Sequence, residues 1–345
     1  MDISIPYYED KSRISNSNIG WFLNKGPAYL YKMLTEDVPD EKSPALERGT
    51  MIHEYILQPE EFKKDYVVWD KEKPSSPQQE KFCKELAESV EIEPDKAVLS
   101  AYKSAYSTAG KSEDKMLSEG LKIASTLKDY IDFLKANDGR TMISLWDVKM
   151  LEKIKKNIQS HKFAERIIWP LGHRQYGNSE YVGITDGSTG YMHFHEFHIN
   201  WTYYVKMASG VECKSLLDGF TLDFKNKIAI IYDLKTTQKL WHFEDSIEQY
   251  DYLRQLCFYY QAAVWYLKYE LKEDPNSWTF KFYIIGIDTT GSYDIRVFKI
   301  DNFKVWSRKD TIFDAMKAIM WHQETGKWDH SREYYEGDGS ESLNL

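Results

Sequence analysis

Residues 228–240, IAIIYDLKTTQKL, admit few structures. Four apolar residues run into Tyr232 as a buried strand does, and then an acid, a leucine and a lysine follow at Asp233-Leu234-Lys235. Side chains of a strand alternate between faces, so Asp233 and Lys235 project to one side while Leu234 points into the core. A strand that begins as interior thus ends by presenting a carboxylate and an ammonium together. An isolated D-x-K is also a common surface pair of little energetic worth, so the upstream sequence has to decide between the two readings. There, CKSLLDGFTLD ends an apolar segment at Asp218-Gly219, as a hairpin that brings two acids together would have it.

The rest of the chain sets the frame. With 345 residues and 42% hydrophobic content it can bury a sizeable core, as one large domain or two small ones. No stretch approaches the roughly 18 apolar residues of a spanning helix. The start, Met1-Asp2-Ile3-Ser4, lacks the charged and apolar regions of a signal peptide, so a cytoplasmic protein without membrane partners is expected. Cys83, Cys213 and Cys257 are too few and too scattered for a disulfide framework or a four-cysteine metal site, and read as reduced, packed thiols. A formal charge of −9 argues against a protein that coats nucleic acid by bulk electrostatics, though an enzyme needs only a local positive track. Aromatic content is 15%, which suits packed surfaces and also base contacts.

Three zones follow one another. Residues 1–70 carry helix signals in NSNIGWFLNK and in SPALERGTMIHEYILQPEEF, where Ser43-Pro44 starts a helix, Pro59 follows its end, and Leu46, Ile52, Tyr55 and Ile56 form a candidate buried stripe. Residues 74–170 open on the loop-like KEKPSSPQQEKF and continue with helical spacing, as a helical insertion. From about 178 the pattern turns to strands in YMHFHEFHINW, GVECKSLLDGF and KIAIIYDLKTT. A long helix over about 245–267, two strands in WTFKFYIIGID and SYDIRVFKID, and a last helix in FDAMKAIMWHQETG complete an α/β core. Residues 331–345 read as an acidic tail.

Two carboxylates converging beside a lysine suit phosphodiester hydrolysis. Hard oxygen ligands hold Mg²⁺ or Mn²⁺, the metal lowers the pKa of its water, and a nearby ammonium stabilises charge on the phosphorus. Asp218 with Asp233-Leu234-Lys235 resembles the signature of the PD-(D/E)xK nuclease superfamily, without the proline of its first element because Leu217 precedes Asp218. ALERGTMIHEYILQPEEFKKDYVV and the opening SRISNSNIGWFLNKGPAYLY more closely resemble the exodeoxyribonuclease VIII (RecE-like) family, from about residue 7 to about 325 with a gap over the insertion.

That resemblance implies a mixed central sheet flanked by helices in one nuclease domain over residues 1–330. It implies metal ligation by His53, Asp218, Asp233 and the carbonyl of Leu234, Lys235 as the catalytic lysine, and Glu196 as the upstream acid, with Glu180 as the other candidate. Gln255 and Tyr259, at i and i+4 of one helix face, match a Q-x-x-x-Y that donates to DNA phosphate; interior packing is the competing reading. His53 has a competing reading too, as a satisfied core histidine. The implied activity is Mg²⁺-dependent, processive 5′-to-3′ degradation of linear duplex DNA by a ring-shaped homo-oligomer, alongside a single-strand annealing protein in recombination or phage DNA processing. A RecB-like or Cas4-like nuclease of other polarity, and a catalytically silent DNA-binding subunit, are the alternatives. His193, His195 and His198 suggest a zinc site, but alternation sets His193 and His195 on one face and Glu196 with His198 on the other. Lys149, Lys153, Lys155, Lys156, Lys162 and Arg166 form either a solvated helix face or part of a phosphate track, with Lys235, Lys239 and Arg254 as the other cations to consider.

Overall fold

The computed structural model describes residues 5–38, 43–91, 93–136, 139–170, 190–206 and 209–341. It divides into two compact units, Met1–Glu60 with Leu151–Leu345, and Glu61–Met150. The first helices begin where the sequence places caps. Ser15 closes a capping box with Asn18 at the start of α1 (Asn16–Lys25), α2 (Pro27–Thr35) follows, and the Ser43 hydroxyl accepts the Leu46 N–H at 3.3 Å to open α3 (Pro44–Leu57). Pro59 then starts α4 (Pro59–Asp65).

The unit Glu61–Met150 holds β1 (Tyr66–Val68), α5 (Pro77–Glu88), α6 (Pro94–Ala105), α7 (Glu113–Thr126), α8 (Lys128–Lys135) and β2 (Thr141–Ile143), with β1 and β2 parallel. Phe82, Val98, Tyr102, Met116 and Ile131 form its core, and Cys83 packs among them as a free thiol. The stretch KEKPSSPQQEKF is loop only as far as Ser76. Pro77, with φ already set for a first turn, begins α5 there, and Ser76 caps it. The helical region continues through α9 (Leu145–Ser160) and α10 (Ala164–Ile168), but the compact unit ends at Met150, short of the expected 170. Leu151, Ile154 and Ile158 of α9 are fully buried.

The other unit is built on a five-stranded sheet in the order β3 (Tyr191–Lys206), β4 (Ser209–Asp223), β5 (Ile228–Thr237), β6 (Thr279–Asp288) and β7 (Ile295–Ile300). Neighbours are antiparallel except for the parallel pair β5–β6. A parallel pair needs a crossover, supplied by α11 (Phe243–Gln249) and α12 (Tyr252–Trp265). The chain closes with α13 (Asn302–Trp306), α14 (Lys309–Thr325) and α15 (Arg332–Glu336), the last formed within the expected tail and capped by Ser331. One sheet face packs Ile231, Phe282 and Ile284 with Leu256 and Phe258 of α12 and Ile319 of α14. The other meets α3 and α10, whose Leu57 and Ile168 carbonyls face the ring of His195. The protein is therefore a mixed α/β fold, a five-stranded mixed sheet flanked by helices.

The helix expected over 245–267 is broken at Asp251, which adopts a left-handed φ of 46°. Aspartate tolerates that conformation, its carboxylate caps α12 through the Arg254 N–H, and Arg308 Nε holds the same carboxylate at 2.8 Å. Leu46 is the member of the expected α3 stripe that stays in water, 53% exposed, while Ile52 and Ile56 are buried with Met51 and Leu57. The helix meets β5 one turn further on, at Gly49. No helix among the described residues is long and apolar enough to cross a membrane.

Candidate metal centre

The ladder between β4 and β5 runs from Asp223 with Ile228 to Gly219 with Tyr232, and there the strands part. Asp218 and Asp233 are the next residue on each. On the far side of β4, His195 pairs with Gly219 and Phe197 with Leu217, which leaves Glu196 opposite Asp218. Three neighbouring strands therefore place a carboxylate at the same level of the sheet. Asp218 ties the parted strands, its Oδ2 accepting the Leu234 N–H at 2.7 Å.

The dipeptide Asp218-Gly219 is not the turn of the hairpin. That turn lies at 224–227, where Lys227 takes a φ of 52°, and Gly219 stands mid-strand for another reason. The ring of Tyr232 occupies the space a side chain would need: a Cβ on Gly219 would lie 1.9 Å from Tyr232 Cζ.

Both strands change faces at this level. Phe194 and Phe197, three residues apart, stack with centroids 4.2 Å apart in the same core, and so do Leu217 and Phe220 belong to that one core. Strict alternation forbids this. Glu196 permits it by adopting a left-handed φ of 46°, which corrects the expectation that Glu196 and His198 share a face opposite His193 and His195. The histidines still do not converge on a zinc site. His193 Nδ1 meets Thr221 Oγ1 at 2.6 Å, His198 Nε2 meets Asn200 Oδ1 at 2.8 Å, and His195 lies between the Leu57 and Ile168 carbonyls.

His53 completes the cluster from α3. The helix comes close to β5 because Gly49 carries no side chain where Thr236 Oγ1 would stand 3.2 Å from a Cβ, and His53 follows one turn later. Its Nδ1 is 3.6 Å from Asp218 Oδ2 and 3.8 Å from Glu196 Oε1. Ligand atoms of His53, Glu196 and Asp218 all lie within 4.8 Å of one another, so the three could hold a metal ion. Burial works against the imidazolium, but the charges of Asp218 and Glu196 prevail and raise His53 to about 9. Burial raises the Asp218 carboxyl, and the Glu196 charge adds to it against the pull of His53.

Asp233 and Lys235 share a face as alternation requires, and Leu234 is fully buried on the other. Lys235 Nζ stands 2.5 Å from Asp233 Oδ2 and 5.0 Å from the centroid of the Tyr252 ring. Asp233 is 1% exposed; the Lys235 ammonium holds its Oδ2, and its Oδ1 accepts no hydrogen bond from a described residue. Burial, with Asp218 adding, raises it to about 6 despite Lys235. Burial also opposes the ammonium of Lys235, yet Asp233 and then Asp218 hold it above the usual lysine range. A buried carboxylate with one oxygen left without a donor, beside a three-ligand cluster, fits a hard divalent cation.

Not every expected residue arrives as expected. Gln255 Nε2 donates to Tyr259 Oη at 2.8 Å, so the two bond each other, and Tyr259 is buried in the sheet core with its hydroxyl pushed up by burial and by the nearby Asp233 charge. Arg254 is interior: it donates to the Asn16 carbonyl at 2.7 Å and to Asn16 Oδ1 at 2.8 Å, which removes it from any phosphate track. Lys155 of α9 lies over the Tyr55 ring at 5.6 Å. Glu180 lies outside the described residues. Tyr7 was not anticipated. Burial, with Glu196 adding to it against a bond from Ser15, pushes its hydroxyl up to about 12. Lys214 Nζ holds that segment through the Tyr7 carbonyl at 2.6 Å and the Asp10 carbonyl, a contact spanning some two hundred residues that no local spacing encodes.

No family model and no curated protein sequence matches the chain. Among solved structures it is similar to one from Eubacterium rectale described as a "putative exonuclease", 13% identical over 100% of this chain and 95% of that chain, with a TM-score of 0.47. A likeness at that level fixes neither fold nor function, and the geometry stands by itself.

Proposed function

We propose that the protein is a divalent-metal-dependent deoxyribonuclease that hydrolyses phosphodiester bonds of linear duplex DNA from an end. One observation carries the reading: Glu196, Asp218 and Asp233 stand level on three adjacent strands, with His53 above Asp218 and Lys235 beside Asp233. His53, Glu196 and Asp218 would hold the ion, with Asp233 and the Leu234 carbonyl as the further ligands that the PD-(D/E)xK resemblance implies. Mg²⁺ or Mn²⁺ bound there supplies a water of lowered pKa and neutralises charge on the phosphate. Asp233 and then Asp218 hold the proton on Lys235 in the metal-free protein, which suits its ammonium to donate to the attacking water or to a phosphoryl oxygen. Asp218, bonded to the Leu234 N–H, keeps the two strands in register at the point where the acids meet. Polarity 5′-to-3′, assembly into a homo-oligomer and action beside a single-strand annealing protein in recombination join the proposal on the family resemblance alone.

The test is cleavage of end-labelled linear duplex in Mg²⁺ and in chelator, beside a covalently closed circle of the same sequence. The expected result is release of nucleotides from the linear 5′ end in Mg²⁺ only, with the circle intact. No Mg²⁺-dependent release from either end would overturn the nuclease reading, and release from the 3′ end would overturn the polarity.

A further inference from the structure

Beyond the acids, the same sheet face carries a cation whose partners are not anions. In the register of β5, β6 and β7, Lys235 pairs with Gly286 and Gly286 with Arg296. Directly paired residues project to the same face, so Arg296 stands in the row of Lys235, two strand spacings away, about 10 Å. After β5 the chain returns over the sheet, and the Leu240 side chain lies against Gly286, where a Cβ would be 2.7 Å from its Cδ1. That return sets Trp241 against Arg296, with the guanidinium 4.7 Å from the centre of the indole, 5.3 Å from the Phe298 ring, and NH1 3.5 Å from the Leu240 carbonyl.

Two features of this corner point to a ligand. Trp241 is 75% exposed although its neighbours Leu240 and Phe243 are buried, so a large flat apolar surface is left in water. Arg296 spends two contacts on rings and one on a carbonyl, which leaves most of its five N–H donors for an anion. The nearest acid along β6, Asp288, is committed to its own turn through Thr290, Ser292 and the Tyr293 N–H. A flat ring and an anion-binding fork side by side match the two parts of a nucleotide, a base and its phosphate.

We propose that Trp241 and Arg296 form a nucleotide subsite beside the cleavage centre: Trp241 stacks a base of the substrate strand, and Arg296 holds the adjoining phosphate. The assignment of a DNA strand as occupant rests on the nuclease reading above. Base stacking is indifferent to sequence, so the subsite grips whichever nucleotide arrives.

The test is fluorescence anisotropy of an end-labelled oligodeoxynucleotide duplex with a short single-stranded end, in Ca²⁺, over a series of salt concentrations. Trp241→Ala is expected to weaken binding about tenfold, as loss of a base–aromatic stack does, and Trp241→Phe to restore most of it. Arg296→Ala is expected to flatten the plot of log affinity against log salt by about one unit, and Arg296→Lys to keep the slope. Affinity and slope like wild type in both alanine variants would overturn the subsite, and so would a wild-type protein that binds no DNA. The two readings separate. Weaker binding in these variants with no Mg²⁺-dependent cleavage by wild type leaves the subsite and removes the nuclease. Cleavage lost in Asp218→Asn with binding unchanged in Trp241→Ala and Arg296→Ala leaves the nuclease and removes the subsite.

Discussion

In the helical unit, Glu61–Met150, charge is neutralised where it occurs: Lys111 Nζ reaches Glu119 and the Tyr102 hydroxyl, each at 2.6 Å, and Lys103 pairs with Glu113 at 2.6 Å at the surface. In the sheet unit, Asp233 is buried with only one oxygen met by an ammonium and the other lacking a hydrogen-bond donor, and Asp218 is buried opposite another acid. Arg13 Nε, Asp233 Oδ1 and Trp265 Nε1, each buried without a hydrogen-bond partner among the described residues, all belong to the sheet unit. Burying like charges costs stability, which the raised Asp218 and Asp233 carboxyls record, while the raised His53 imidazolium offsets part of it. One region is arranged for folding alone. The other gathers carboxylates and a histidine that could hold a cation.

The comparison breaks most visibly at Lys235. Lys235→Ala should slow Mg²⁺-dependent cleavage on the order of 10²–10³-fold or more while the Mn²⁺-induced rise in melting temperature persists, because an ammonium beside the attacking water acts on the transition state. Turnover like wild type would remove Lys235 from the catalytic set.

Metal affinity should depend on pH in a direction that His53 sets. Raised to about 9, the imidazolium must lose its proton before it can ligate, so Mn²⁺ affinity climbs toward pH 9, by about tenfold per unit where His53 alone is displaced. In metal-free protein the same group contributes stability that is full below 6.5 and is lost as pH rises through about 9. Calorimetric titration in buffers of different ionisation enthalpy reads the released proton; none released near pH 7 removes His53 from the ligand set.

A third measurement sharpens the cost of the buried acid. Asp233 is raised from 3.8 to about 6, so its contribution to stability is present below 3.8 and is lost as pH rises through about 6. In chelator, Asp233→Asn should therefore melt higher than wild type at pH 7.5, by up to about 3 kcal/mol in stability, and the difference should close toward pH 4. A variant less stable than wild type at pH 7.5 would mean that the ion pair with Lys235 outweighs burial. Smallest is the control in the helical unit. Ser112 caps α7 by accepting the Lys115 N–H at 3.4 Å, and Ser112→Ala should cost about 1 kcal/mol with the metal-induced rise intact. A diminished rise would show that the two regions are not energetically separate.

Local rules made much of this legible. Ser43 caps a helix because a hydroxyl just before a helical run meets an orphan N–H whatever lies around it. The alternation of a strand put Asp233 and Lys235 on one face and buried Leu234, since a period of two belongs to the backbone itself. The same rule failed for Glu196, where a left-handed residue moved every later side chain to the other face. The hairpin did bring Asp218 and Asp233 together, with its turn at 224–227, and what Gly219 accommodates is the ring of Tyr232, thirteen positions away in sequence and next to it in the sheet.

The sequence by itself determined which chemical groups were available, an acid–acid–lysine set with a helix-borne histidine, and which of them a single strand must present together. Only the tertiary structure decided that Glu196 joins them, that Arg254 is spent on Asn16, and that Trp241 lies against Arg296. Each of these depends on where β4 parts from β5 or on what packs across a strand. Such contacts are set by cross-strand register and side-chain volume, quantities that no window along one chain contains.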